Sequence, residues 1–194
     1  MKKLSWKQKL LTLSAVAIVA ALSAYGSVAY FTAEDTARNV ITAGKLKIEL
    51  QEKMLTSDGE KTVPFEDRLG VMPGSEVSKI VEVKNTGSQD AWVRVSVNKA
   101  IELAEGVEDE VDLSLISFDL NTDYWTEKDG FYYYTAKLAP GHTTEPLFTA
   151  VTFAKTMSNQ YQNSKAILTV NAYATQTVHN GNTALEAAGW PETN

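Results

Sequence analysis

Hydrophobic and polar residues alternate with a period of two along most of the chain from Tyr30 onward, not with the helical period of about 3.6. In the first clear run, Leu46, Ile48 and Leu50 are separated by charged residues, which is the pattern of a strand with one buried face. The same alternation recurs at residues 81–83, 93–97, 147–153 and 168–174. The aromatic run Phe131–Tyr134 has a strong strand preference. The pattern therefore predicts many short strands.

Turn-forming residues separate these runs, in clusters at residues 57–59, 73–74, 85–88, 128–130 and 140–141. Many short strands with turns between them are typical of an antiparallel sandwich. Helix is predicted in few places. Residues 98–115 could hold a short helix or a long crossover connection, and residues 182–189 carry a cap-like start and a glycine stop. We therefore expect an all-β, antiparallel sandwich with few short helices.

Residues 1–29 have the layout of an export signal. Four lysines precede an apolar stretch at residues 10–24, and small residues then precede a cleavage site predicted between Ala29 and Tyr30. The 24 uncharged residues from Leu10 to Ala33 would also suffice for an uncleaved membrane anchor. Because residues 25–27 interrupt the apolar stretch, we expect cleavage. The body is then expected outside the cytoplasm, with the membrane contacted only by this segment before its removal.

The whole chain has a net charge of −6, but residues 30–194 alone are more acidic. Removing the four lysines of residues 1–29 leaves 14 basic residues against 24 acidic ones, a balance of −10. A protein that binds the nucleic-acid backbone presents a basic face, so nucleic acid is not an expected partner. The chain contains no cysteine, which excludes disulfides, thiol nucleophiles and cysteine-bound zinc.

Only two histidines, His142 and His179, are available for acid–base or zinc chemistry, and they lie 37 residues apart. Neither belongs to the helical motif in which two histidines four residues apart hold catalytic zinc. The chain also lacks the Gly-x-Ser-x-Gly nucleophile motif and the glycine-rich phosphate loops. We therefore expect no catalytic residues, no metal and no cofactor.

Two further features have both a functional and a structural interpretation. Asp119, Asn121 and Asp123 have the spacing of the first ligands in a calcium loop. However, the glycine and glutamate required later in such a loop are missing, so a surface strand end is favoured. In the aromatic run, alternation sends Tyr132 and Tyr134 to one face and the other two rings to the opposite face. Core packing is favoured over a platform for a glycan or a protein partner.

Residues 30–41 would form the new N-terminus after cleavage. An extended terminal segment can add to a neighbour's sheet edge through main-chain hydrogen bonds. Repeated head to tail, such a contact produces an open filament. The alternative is that the segment pairs within its own sheet or frays, and composition alone does not separate these outcomes.

Two short blocks near the N-terminus carry a resemblance to a known family. The first is the aromatic pair at the cleavage site. The second is an Asn-x-Ile segment that runs into a Thr-Ala-Gly-x-Leu block before the first long strand. The positions concerned are Ala29, Tyr30, Phe31, Asn39, Ile41, Thr42, Ala43, Gly44 and Leu46. In these blocks the chain resembles the TasA/camelysin (CalY) family of exported Gram-positive proteins. Residues 72–79, 83–95 and 166–176 and the Trp190-Pro191 ending are similar as well.

The resemblance implies a jelly-roll-like sandwich in a secreted protein of the extracellular matrix or cell surface of a Gram-positive bacterium, released by a dedicated ER-type signal peptidase. It also implies a fibre or biofilm-matrix subunit, joined by N-terminal donor strands to copies of itself or to a related subunit. Carried onto this chain, the donor strand begins at Tyr30 and uses Phe31 as an early anchor. Val40 and Ile41 belong to the strand or to the connection before Gly44.

The expected organisation is a signal peptide at residues 1–29, a donor strand with its connection at residues 30–45, and a sandwich domain at residues 46–194. Relatives of camelysin type have been classed as metalloendopeptidases, so a surface peptidase is an alternative function, although this chain lacks the zinc motif. A monomeric cell-surface binding module is a further alternative. The leading expectation is an exported structural protein without enzymatic activity.

Overall fold

The computed structural model describes residues 31–35, 39–42 and 46–192. The predicted signal peptide at residues 1–29, and Tyr30 after the predicted cleavage site, lie outside the described residues. Within the three described ranges, no helix has the length and hydrophobicity that a membrane crossing requires.

Almost all of the regular secondary structure in the described residues is β-strand, which confirms the predicted all-β class. Its strands are β1 (Phe31–Asp35), β2 (Asn39–Thr42), β3 (Ile48–Leu55), β4 (Thr62–Pro64), β5 (Arg68–Val71), β6 (Glu76–Ser78), β7 (Ile80–Asn85), β8 (Ala91–Glu102), β9 (Ile116–Phe118), β10 (Trp125–Lys128), β11 (Phe131–Tyr134), β12 (Ala150–Phe153) and β13 (Lys165–Gln176). In these described ranges, helical geometry is limited to two 3₁₀ turns, at Leu113–Leu115 and Asn159–Tyr161.

The larger sheet is built around β8 and β13, which pair antiparallel over twelve residues, from Lys165 opposite Glu102 to Gln176 opposite Ala91. On the β8 side, the sheet continues through β11 to β10. On the β13 side it continues through β1 to β5, and β2 pairs with β13 as well.

Strands β10 and β11 form a hairpin that turns through Asp129 and Gly130. Positive φ angles at both residues match the two-residue type I′ turn.

The second layer contains two three-stranded sheets, ordered β4-β3-β7 and β6-β12-β9, and all their pairings are antiparallel. The segment before β12 joins them along one side of β7. There, the amide of Val81 donates to the carbonyl of Phe148 at 3.1 Å, and the amide of Leu147 donates to the carbonyl of Val81 at 2.8 Å. The two sheets therefore act as one continuous surface against the larger sheet.

Buried hydrophobic side chains from both layers form one core, so the architecture is sandwich-like. Strand β3 shows the predicted alternation, because Ile48 and Leu50 are buried while Glu49 is exposed. Strand β13 departs from it, since residues 170–175 are all buried. Both faces of this half of β13 are therefore covered by protein.

The helix predicted at residues 182–189 is wrong, because the segment forms a turn followed by irregular chain. Polar side chains at the end of β13 and in the turn after it form hydrogen bonds with backbone groups of this segment. The hydroxyl of Thr175 donates to the carbonyl of Ala188 at 3.0 Å. The side-chain amide of Asn180 donates to the same carbonyl at 2.9 Å and accepts the Ala188 amide at 2.8 Å. Hydrogen bonds to Thr175 and Asn180 thus replace those of a helix.

A buried ion pair interrupts the apolar pattern of the core. Glu52 occupies a core-facing position of β3, and its carboxylate lies 2.8 Å from the ammonium of Lys79, the residue between β6 and β7. Both side chains are almost completely buried, and the ammonium lies 3.8 Å from the centre of the Phe65 ring. Because each charge has lost its hydration, removal of one partner is far more costly than removal of both.

The variant Glu52→Gln is therefore expected to lower the free energy of unfolding by about 3–5 kcal/mol, because Lys79 loses the opposite charge within a buried site. The double variant Glu52→Leu/Lys79→Met removes both charges and is expected to recover most of that loss. Urea unfolding followed by circular dichroism measures both effects.

The matched control is Glu82→Gln, since Glu82 pairs with Lys53 at 2.6 Å in a more exposed position. That change is expected to cost less than about 1 kcal/mol. An equal loss of stability in Glu52→Gln and Glu82→Gln would show that burial adds nothing to the first pair.

Candidate functional site

The predicted donor segment lies along the last strand of its own chain. Strand β1 pairs parallel with β13, with Thr32 opposite Lys165 at the start of this ladder. Strand β2 continues in the same direction, with Val40 opposite Ala172 and Ile41 opposite Tyr173. Phe31 is the first residue of β1, whereas Tyr30 is outside the described residues.

The two ladders are out of step by one residue. Asp35 is opposite Leu168 and Asn39 is opposite Asn171, so the N-terminal segment advances four residues while β13 advances three. The N-terminal segment therefore follows β13 as two short ladders in fixed registers.

Strands β1 and β2 differ in their second neighbour. Strand β1 lies between β13 and β5, because Phe31 pairs with Val71 and Ala33 with Arg68. Among the described strands, β2 pairs with β13 alone. The larger sheet is therefore stepped. One half has the order β8-β13-β1-β5, and the other half has the order β10-β11-β8-β13-β2.

The backbone groups along the edge of β13 that faces β1 and β2 require hydrogen-bond partners. Its side chains Leu168, Val170 and Ala172 belong to the core and are at most 4% exposed. Backbone amides and carbonyls at this depth require hydrogen-bond partners, because water does not reach them. In the structure, the described parts of the N-terminal segment supply those partners. The site can thus be defined as a strand acceptor, the edge of β13, filled by a parallel strand.

Sequence reasoning identified residues 166–176 as a strand but did not identify it as the acceptor. A signal was present, because these eleven residues contain no charged side chain. A strand without charges is typical of the middle of a sheet, where both faces are covered.

The two histidines lie in separate exposed turns. His142 is exposed in a turn, with Nδ1 3.2 Å from the carbonyl oxygen of Pro140. His179 is exposed in the turn after β13. Across the described ranges, no group of three or more His, Asp or Glu residues is arranged to hold a metal ion.

The calcium-like spacing at residues 119–123 belongs to a structural contact. The Asp119 carboxylate accepts the amide of Thr149 at 2.8 Å and the amide of Ala150 at 2.6 Å, and it also accepts the Thr149 hydroxyl. The side-chain amide of Asn121 donates to the carbonyl of Pro146 at 3.1 Å. Partial burial raises the pKa of Asp119, but these hydrogen bonds outweigh burial and hold the pKa below its ordinary value. Asp119 therefore fastens the start of β12.

The aromatic run packs in the predicted alternating way. Tyr134 is buried in the core and Tyr132 packs against it, while Phe131 and Tyr133 lie on the outer face of the sheet. Burial, together with the nearby Glu127 carboxylate, raises the pKa of Tyr132. All four rings are thus at least partly buried, which agrees with core and cross-strand packing.

An arginine on the outer face of β8 was not anticipated. The Arg94 guanidinium lies 3.9 Å from the centre of the Phe131 ring and 4.8 Å from the centre of the Trp190 ring. The ring of Trp190 also meets Tyr133 edge to face, at 5.8 Å between centres. The C-terminal segment therefore covers these aromatic side chains through cation–π and edge contacts.

Comparison of the chain with protein-family models, with curated proteins and with solved structures found no match.

The variant Asp119→Asn tests the contact at the start of β12. The folded pKa of Asp119 lies below 3.8, so its carboxylate stabilises the fold above about pH 4, and this contribution is lost as the pH falls through the folded pKa. The variant is expected to be less stable at pH 7 by about 1 kcal/mol or less, since Asp119 is only slightly buried and solvent screens most of its charge. It is also expected to lose less stability than the original chain on acidification.

Thermal unfolding between pH 2 and pH 7 measures this difference. The variant Asp123→Asn is the control for the loss of one exposed charge in the same loop. Parallel pH profiles for the original chain and Asp119→Asn would contradict the prediction.

Proposed function

We propose that this chain is an exported structural protein that forms, or assists in forming, extracellular fibres or biofilm matrix by donor-strand addition. In this proposal, a signal peptidase releases the chain between Ala29 and Tyr30, and the secreted subunit is a jelly-roll-like sandwich at a Gram-positive cell surface. Its partners are other copies of itself or a related fibre subunit.

The observation that carries the proposal is the parallel pairing of β1 and β2 with the edge of β13. A parallel neighbour is not tied to its partner by a hairpin. The same ladder can therefore be formed by the N-terminal segment of another copy, without a change of register. The resemblance of residues 42–46 to the TasA/camelysin block supports the same function.

Assembly follows from an exchange of equivalent strands. A subunit closed by its own segment and a subunit filled by its neighbour's segment have the same ladder bonds, so the exchange itself is nearly neutral in free energy. Concentration then favours assembly, as in domain swapping. Because each subunit gives one strand and receives one, the contact is head to tail and leads to an open filament. Residues 43–45 connect β2 to the body of the giving subunit.

A pair of introduced cysteines can distinguish the closed subunit from the exchanged one, because the natural chain contains no cysteine. Neighbouring strands lie about 4.8 Å apart, within the Cα separation that a disulfide spans. Because Ala33 and Ala166 are directly opposite in the β1–β13 ladder, Ala33→Cys/Ala166→Cys is the pair chosen to link these two strands. The protein is residues 30–194, oxidised before and after assembly. Non-reducing electrophoresis is expected to show single chains before assembly and a ladder of covalent multimers afterwards.

The control pair is Val95→Cys/Ala172→Cys, since these residues are opposite each other within the body, on β8 and β13. Their disulfide is expected to remain within one chain in every state. Fibres that contain only single cross-linked chains for the Ala33 pair would refute donor-strand addition. Fibre formation by a chain lacking residues 30–41, at the yield of the full chain, would refute it as well.

A further inference from the structure

The stepped sheet leaves a long part of β8 without a second neighbour. Strand β11 pairs with β8 at Arg94 and Val95, and the pairing with β13 runs along the whole opposite side. Residues 97–102 therefore have no strand partner on the outer side within the described parts of the chain. This open edge is six residues long, whereas β10 and β5 at the ends of the sheet order have four residues each.

The residues of this edge suit the addition of another strand. Asn98, Ala100 and Glu102 are exposed on the outer face, while Val97 and Ile101 pack against the core. A regular edge with β-branched residues is a template for pairing with another chain, and folded proteins protect such edges. A subunit that assembles by strand addition would otherwise present two acceptors instead of one.

Lys99 occupies the centre of the open edge and is directed inward, between Val97 and Ile101. Its ammonium donates to the carbonyl of Leu113, in a 3₁₀ turn, at 2.9 Å and to the carbonyl of Ile116, the first residue of β9, at 2.8 Å. An ammonium has three N–H donors, so two carbonyls leave one donor for water. The side chain of Lys99 is only half-buried, which gives water access at this side of the sandwich.

We propose that Lys99 prevents strand addition at residues 97–102 and thereby limits strand addition to the edge of β13. A strand added beside β8 would cover the ammonium and remove its water, leaving a charged group with an unsatisfied donor. An inward lysine on an edge strand protects the edge in this way. The inference goes beyond the proposed function, because side-by-side pairing of folded subunits does not require exchange of the N-terminal segment.

The test compares residues 30–194 with the variant Lys99→Met, which keeps a long unbranched side chain but removes the charge. The variant is expected to self-associate at least about tenfold more tightly in sedimentation equilibrium, a change of about 1.4 kcal/mol. Hydrogen exchange is expected to show new protection of amides within residues 97–102 as the concentration rises. To exclude strand exchange, both proteins carry Ala33→Cys/Ala166→Cys and are closed by the internal disulfide.

Three controls separate edge protection from other effects. The variant Lys99→Arg keeps the charge and is expected to remain monomeric, and Lys128→Met loses the same charge at the edge strand β10 and is expected to do so too. The double variant Lys99→Met/Ile101→Lys restores an inward-facing charge on the same edge without restoring the bonds to Leu113 and Ile116. It is expected to return to the monomer.

A monomeric Lys99→Met variant would overturn the proposal. Association of Lys99→Met without protection of amides at residues 97–102 would overturn the proposal too. So would association that persists in the double variant. In either case the association would come from loss of stability and not from an unprotected edge. None of these results would alter the cysteine experiment on the N-terminal segment, so the two proposals fail independently.

Discussion

Strand β13 depends on hydrogen bonds at both of its edges, and the rest of the fold depends on β13. Strand β8 fills one edge along all twelve residues. The other edge is filled by the N-terminal segment in two parallel ladders. A buried backbone group without a partner is costly, so the last strand of the chain is complete only when the first strands, or equivalent ones, lie beside it.

The sequence pattern predicts much of the fold because alternation is a local property of a strand. The boundaries of β11 coincide with the predicted aromatic run, and the apolar alternation in β7 and β8 leads to buried valines. The exceptions arise from distant partners. Glu52 can be buried because Lys79, between β6 and β7, lies beside its carboxylate, and bonds to Thr175 and Asn180 replace the predicted C-terminal helix. Lys79 follows Glu52 by 27 residues and Thr175 precedes Ala188 by 13, so neither contact belongs to a local pattern of alternation.

Only one of the two parts of the candidate site, the N-terminal segment, could be predicted from the sequence. Residues 30–41 could be identified as an extended terminal segment, but its acceptor could not be found from a period of two, because alternation identifies faces and contains no information about edges. The parallel direction and the one-residue step between Asp35 and Asn39 are properties of the pair of strands. The open edge beside Lys99 is likewise visible only once the lengths of β8 and β11 are compared.

The parallel direction of β1 and β2 along β13 also determines how this contact responds to force. A pull along the strand axis on the end that leads from β2 into residues 43–45 loads both ladders in shear, so all their hydrogen bonds resist together. A pull perpendicular to that axis opens the bonds one after another, as in a zipper. The same contact is therefore mechanically strong lengthwise and weak sideways, and a joint made from it would withstand tension while still allowing a strand to be peeled away.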